Sequence, residues 1–239
     1  MEKKIYAKQF EFSNGHWWFE SRKEIIKKFL DKNTKGQMKI LDFGCGVGIN
    51  IEMLQNYGDV YVFDESKDAN KYIRKNKKID ENKIIKNIND SDIRFDLILA
   101  LDVLEHIEDD NEVIQMFYKK LNKNGKILIT VPAYQFLFSS KDEILMHKRR
   151  YNLKEISKKI DNNFKIKKKT YFNFFLTPLI FIATMYCKIF NISYKPEYEK
   201  KPNNLVNTIL KKIFCVEKFL INKFNFPFGI SILIFAEKK

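Results

Sequence analysis

The chain has 239 residues and carries 44 Lys and Arg against 30 Asp and Glu, a net charge of +14. With 45% hydrophobic residues, it is too apolar to be disordered and long enough for a sizeable core, one α/β domain with additions. The charge is uneven: residues 1–140 hold 23 basic against 22 acidic side chains, a net of +1, and residues 141–239 hold 21 against 8, a net of +13. Such asymmetry points to a separate partner or surface for the second half. Three cysteines (Cys45, Cys187 and Cys215) at no metal-ligand spacing argue for reduced thiols in a cytoplasmic protein. Met1 to Phe12 is charged and has no apolar core, so no signal peptide is expected.

Residues 1–37 precede the first expected strand. They contain His16-Trp17-Trp18-Phe19-Glu20-Ser21-Arg22, then Ile25, Ile26, Phe29 and Leu30 at helical spacing, which predicts a helical cap. Trp17 and Phe19 are costly to expose and are read as packing on the sheet. Residues 38–48 then read Met-Lys-Ile-Leu-Asp-Phe-Gly-Cys-Gly-Val-Gly: a short buried strand, an acid, and glycines at alternate positions. A helix is expected over 49–57. A glycine turn between strand and helix brings backbone N–H groups and a helix N-terminus to a ligand. The Asp-x-Gly-x-Gly-x-Gly pattern differs from the Gly-x-Gly-x-x-Gly of dinucleotide folds. It resembles the class I S-adenosylmethionine-dependent methyltransferases, in particular the bacterial type 11/type 23-like group.

The following elements extend the resemblance. Residues 60–63 form a second strand ending at Asp64, residues 67–77 a charged helix, and residues 83–88 a third strand. Residues 95–101 form a fourth strand running into Asp102-Val103-Leu104-Glu105-His106-Ile107, which is similar to the family's fourth-strand motif. A helix over 110–121, a turn at Asn124-Gly125 and a fifth strand over 126–131 closed by Pro132 follow. This alternation predicts a parallel sheet with helices on both faces and a ligand site beyond the strands' carboxyl ends.

Past the fifth strand lie Asp142 and His147-Lys148-Arg149-Arg150-Tyr151-Asn152. Asn152 with Glu155 is a capping-box start for a helix to residue 160, and residues 164–172 read as a sixth strand. Residues 170–187 contain no charged residue. Pro178, Asn173, Thr177 and Thr184 argue against a membrane span. So does the final strand over 229–236, which must return to the same sheet. An interfacial helix, or a hydrophobic hairpin with a lysine-rich helix over 205–224, is expected instead. The predicted fold is a doubly wound, Rossmann-like α/β sheet of seven strands, mostly parallel, with an antiparallel last strand and a hydrophobic helical insertion before it. The expected division is a cap (1–37), a core (38–172), an insertion (173–228) and a final strand and tail (229–239).

The resemblance implies methyl transfer from S-adenosylmethionine, with cofactor contacts at Asp42, Gly44, Cys45, Gly46, Gly48, Asp64 and Leu101. Asp42 would orient the ammonium of the methionine end and Asp64 would hold the ribose. His16, Trp18 and Arg22 would line the pocket from the cap, and Asp142, Arg149, Arg150 and Tyr151 would face the acceptor. His147 ranks first as the base for an oxygen acceptor, with a structural bond to Asp142 as the other role open to it. The acceptor is expected to be small or lipid-linked, an anionic membrane surface is among the expected partners, and nucleic acid is not. Peripheral placement at the inner face of the membrane would accompany a cytoplasmic location. Asp102, Glu105 and His106 would share a helical face able to hold a divalent ion, but similar strings occur in methyltransferases without metal and none is expected. A nicotinamide-dependent oxidoreductase and a membrane-associated cofactor-binding protein without catalysis are the alternatives.

Overall fold

The computed structural model describes residues 15–76, 79–193 and 201–239; the charged start from Met1 to Phe12 lies outside them. The strands are β1 (Met38–Phe43), β2 (Gly58–Phe63), β3 (Ile84–Ile85), β4 (Phe95–Leu101), β5 (Leu121–Pro132), β6 (Phe164–Phe172) and β7 (Ser231–Lys238). The helices are α1 (Trp17–Asn33), α2 (Ile51–Leu54), α3 (Lys67–Lys75), α4 (Asp110–Lys120), α5 (Ser140–Ile144), α6 (Leu153–Asp161), α7 (Thr177–Ile189), α8 (Asn204–Cys215) and α9 (Glu217–Leu220). The strands form one sheet in the order β3-β2-β1-β4-β5-β7-β6. β7 runs antiparallel to both its neighbours and the other pairings are parallel. The Rossmann-like, doubly wound sheet with an antiparallel last strand is therefore present.

Side chains alternate across the sheet and build a core on each face. In β4, Leu97, Leu99 and Leu101 join Ile25, Ile26, Phe29 and Leu30 of α1 on one face. Ile98 and Ala100 join Ile114 and Phe117 of α4 and Ile156 and Ile160 of α6 on the other. This two-sided burial explains why β4 reads as an almost unbroken apolar run. The edge strand β6 instead alternates, turning Lys165, Lys167 and Lys169 away from the core, which blunts edge-to-edge pairing.

Several boundaries differ from expectation. The third strand shrinks to two residues, because residues 81–83 form a 3₁₀ turn ahead of it. The helix after β1 is only four residues long. The charge-free stretch 170–187 divides at Phe172, the expected end of the sixth strand. Its first three residues finish β6, Asn173 takes φ 57°, and the buried Glu217 carboxylate accepts the amides of Asn173 (2.7 Å) and Phe175 (3.2 Å). α7 starts only after this turn, with Pro178 in its first turn, where a missing N–H costs nothing. The helix expected over 205–224 breaks near Val216 into α8 and α9.

The expected hairpin between the two insertion helices is replaced by a different pairing: α8 lies along α1. Asn207 Oδ1 accepts the Trp17 amide at 2.9 Å, and Ser21 Oγ donates to the Lys211 carbonyl at 3.2 Å. Trp18 stacks on Phe214, ring centroids 5.3 Å apart. Among the described residues no helix is long and apolar enough to cross a membrane. Phe214 is fully buried between α1 and the sheet. Replacing Phe214 with Ala should lower unfolding free energy by about 3–5 kcal/mol, read as a shifted urea midpoint.

Candidate active site

The strand order reverses between β1 and β4, so their carboxyl ends open a crevice. β1 ends in the glycine turn. Gly44 has φ 70°, and a Cβ there would meet Val103 Cγ2 at 2.6 Å; the β1 and β4 loops touch with no room for a side chain. Gly46 also has positive φ, 54°, but a Cβ there would meet nothing within 4 Å, which makes it the open lip of the turn. Gly48 lies over Ile51 at the head of α2. The Gly44 amide donates to the Phe63 carbonyl at 2.8 Å, and the Gly46 amide to Asp64 Oδ2 at 2.8 Å. Asp64 Oδ1 accepts the Ser66 amide at 2.8 Å. Asp64 therefore ties the tip of β2 to the turn, and each of its oxygens keeps a free lone pair.

Beneath the turn, Asp42 is 1% exposed and its Oδ2 has no hydrogen-bond partner. Burial pushes its carboxyl up to about 7, Arg22 opposing and Asp64 adding to the shift. Cys45 is buried, and burial raises its thiol well above the usual range. Leu101, the last residue of β4, is buried. Asp102 follows with φ 57°. Its carboxylate pairs with Arg22 of α1 and accepts Thr130 Oγ1 at 2.9 Å. Such a strained non-glycine residue persists only because partners hold it on both sides.

A second cluster follows β5. Asp142 takes the Nε and Nη2 of Arg150 in a fork at 2.8 and 2.9 Å, His147 Nδ1 at 2.8 Å and the Ser139 amide at 2.9 Å. Burial works against its charge, but the bonds from His147 and Arg150 hold the carboxyl well below the usual carboxylate range. With Nδ1 engaged, Nε2 is the free nitrogen of His147. The His147 ring meets His106 edge-on, centroids 4.7 Å apart. Burial, with His147 adding, pushes His106 down to about 4. Glu105 is fully buried and neither of its carboxylate oxygens has a partner; burial, with Asp102, raises its carboxyl well above the usual range. Ligand atoms of Glu105, His106 and His147 lie within 4.8 Å of one another, so this trio could hold a divalent ion.

The helical face expected from Asp102, Glu105 and His106 does not form. Residues 104–106 are a single 3₁₀ turn and Asp102 is turned to Arg22. Tyr151 does not face an acceptor: it is fully buried, its hydroxyl 2.9 Å from Asp110 Oδ2 and 3.1 Å from the Leu104 carbonyl oxygen. Arg149 is directed to Glu108 and Asp110 rather than to Asp142. His16 caps α1, its Nδ1 accepting the Trp18 amide at 3.2 Å, and burial lowers it to about 4. Trp18, expected at the pocket, stacks instead on Phe172 and Phe214, and Phe19 packs against the His16 ring with the Arg22 guanidinium over it.

Compared with known proteins, residues 15–164 match the model of a methyltransferase domain. The chain belongs to the methyltransferase domain family. Over 139 residues it is 33% identical to a ubiquinone biosynthesis O-methyltransferase of Pelagibacter ubique, covering 52% of this chain and 58% of that one. Over 143 residues it is 30% identical to phosphoethanolamine N-methyltransferase 3 of Arabidopsis thaliana, covering 56% and 29%. The chain spans between 29% and 58% of the length of the curated relatives it matches. Its fold is similar to the crystal structure of a methyltransferase-like protein from Bacillus halodurans (TM-score 0.55, 16% identity, 90% of this chain and 98% of that one).

The match covers the glycine turn and both acidic clusters of this methyltransferase but stops before the insertion. Two features had no sequence signal. Thr130 and Arg22 meet Asp102 from elements far apart in the chain, and His147 joins Glu105 and His106 across about 40 residues of chain. Asp142→Ala leaves the partly buried Arg150 without its partner. It should cost about 3–5 kcal/mol in unfolding free energy, measurable by chemical denaturation.

Proposed function

We propose that this methyltransferase moves a methyl group from S-adenosylmethionine to a small or lipid-linked acceptor, with an oxygen atom favoured, in the cytoplasm. The observation that carries the proposal is the orphaned, buried Oδ2 of Asp42 beneath a glycine turn that leaves Gly46 open. An ammonium group supplies the missing partner of such a carboxylate, so the residues present fit the methionine end of the cofactor. When bound, the cofactor supplies an electrophilic methyl group.

The remaining roles fall to the chain's own groups. Gly44, Cys45, Gly46 and Gly48 provide backbone that approaches the ligand closely, and Leu101 shields it from water. Asp64 keeps lone pairs for two ribose hydroxyls. Arg22, which pairs with Asp102 and acts on Asp42, would offer its guanidinium to the methionine carboxylate. On the acceptor side, Asp142 fixes the ring of His147 so that Nε2 can take the acceptor's proton, while Arg150 keeps Asp142 ionised and in place. The relatives' names include both an O- and an N-methyltransferase; the choice of oxygen rests on the placement of a base, which an oxygen acceptor needs more.

Isothermal titration of the full chain with S-adenosylmethionine and S-adenosylhomocysteine should give micromolar binding, about −8 kcal/mol, that Asp64→Ala abolishes. No binding by folded protein would overturn the proposal. Binding should also depend on pH, because the ammonium requires ionised Asp42. From about pH 7 down to about pH 5.5, where protons compete for this carboxylate, affinity should fall nearly tenfold per unit. Asp42→Asn should bind weakly and without that slope.

A further inference from the structure

The insertion between β6 and β7 carries the molecule's exposed apolar surface. Of the 18 large hydrophobic side chains exposed among the described residues, 16 lie between Phe175 and Phe228. α7 has no buried residue at all. Leu179, Ile182, Tyr186, Ile189 and Phe190 fall on one side of it by helical spacing, with Ile182 65% and Ile189 74% exposed. Thr177, Thr184 and Lys188 fall on the opposite side, where Lys188 Nζ donates to the Phe136 carbonyl at 2.7 Å. The outward face of α7 therefore has no charge. α8 repeats the pattern. Asn207 and Phe214 face α1, and Leu205, Ile209, Ile213 and Val216 are exposed at spacings of four, four and three.

We propose that the outer faces of α7 and α8 dock this enzyme on the surface of an anionic lipid bilayer. Three observations select this occupant. First, α7 has 13 residues, about 20 Å of helix, too short for a hydrocarbon core of about 30 Å. β6 and β7 also pair in one sheet, so the insertion leaves and returns on the same side. Both facts suit a helix lying in the interface. Second, residues 173–228 hold 8 basic against 3 acidic side chains, a net of +5, and exposed Lys212 lies on α8, with exposed Lys201 ahead of it and Lys223 beyond α9. The lysines that flank the apolar faces would meet their own kind in a second copy of the chain, whereas anionic headgroups attract them. Third, Phe181 and Lys188 of α7 contact the 3₁₀ turn Gln135–Leu137, just beyond the carboxyl end of β5. The apolar face therefore adjoins the edge of the sheet on which the glycine turn opens. A bilayer there would present a lipid-linked or membrane-dissolved acceptor directly to the site.

The test is flotation of the full-length protein with phosphatidylcholine vesicles and with vesicles containing about 30% phosphatidylglycerol. The protein should float with the anionic vesicles, much less with neutral ones, and high salt should release part of it. Ile182→Asp with Ile189→Asp should cut the floated fraction about tenfold while keeping the melting temperature and the binding of S-adenosylmethionine. Retained cofactor binding separates a failure of docking from a failure of the methyltransferase reading. A wild-type protein that stays with the soluble fraction, or a double variant that floats equally well, would overturn the proposal. So would sedimentation velocity showing a dimer without vesicles that the double variant splits, since the face would then belong to a second copy.

Discussion

The structure depends on the close approach of two loops where the strand order reverses. Gly44, at the end of β1, lies so near Val103, beyond β4, that a single methyl group would collide. The strand ends themselves are held by the ladder, Phe43 opposite Ala100, and the contact sets how closely the two loops that leave them approach. The tip of β2 joins them, because Asp64 ties it to the glycine turn through the Gly46 amide.

The second organising feature is a concentration of acid around one arginine. Asp42, Asp102 and Glu105 all feel the Arg22 guanidinium, and only Asp102 pairs with it directly. Removing carboxylates from water disfavours their charge, and here the burden is shared unequally. Asp102 stays paired, while burial raises Asp42 and Glu105. Buried carboxyl oxygens without a hydrogen-bond partner, on Asp42 and Glu105, cost folding stability, a pattern common where function and local consistency conflict. Arg22 also makes α1 part of the site rather than a lid over it, because the helix brings its guanidinium to the β4 loop.

Much of this was legible in the sequence. The alternation of strands and helices, the strand ends at Phe43, Phe63 and Leu101, and the return of a final antiparallel strand follow from local patterns with periods of two and 3.6 residues. The sequence reading failed where long-range partners decide. It took Trp17 and Phe19 as the residues packed inward, and Trp17 does pack on the core against Phe214; but Trp18, read as lining the pocket, packs there too, stacked on Phe172 and Phe214, some 150 and 200 residues away. It put Tyr151 beside Arg150 toward the acceptor, but the hydroxyl of Tyr151 finds Asp110 inside the core. The end of the sixth strand at Phe172 was legible, but the carboxylate that holds the bend at Asn173, Glu217, comes from another helix and was not. Cues of this kind are invisible to periodicity, which sees only neighbours along one helix or strand.

The antiparallel last strand has a consequence for how the chain assembles. Among the described residues β6 pairs with no strand but β7, and β7 also closes onto β5. On the ribosome, Phe164–Phe172 emerges with no neighbour and must wait while the whole apolar insertion is made. Only when Ser231–Lys238 slides between β5 and β6 does that edge of the sheet close. Such late, distant pairing is slow, and during the wait an unpaired edge and a greasy insertion are exposed together. The lysines spaced along β6 therefore have a second use, keeping the nascent strand from pairing with another chain before its own partner exists.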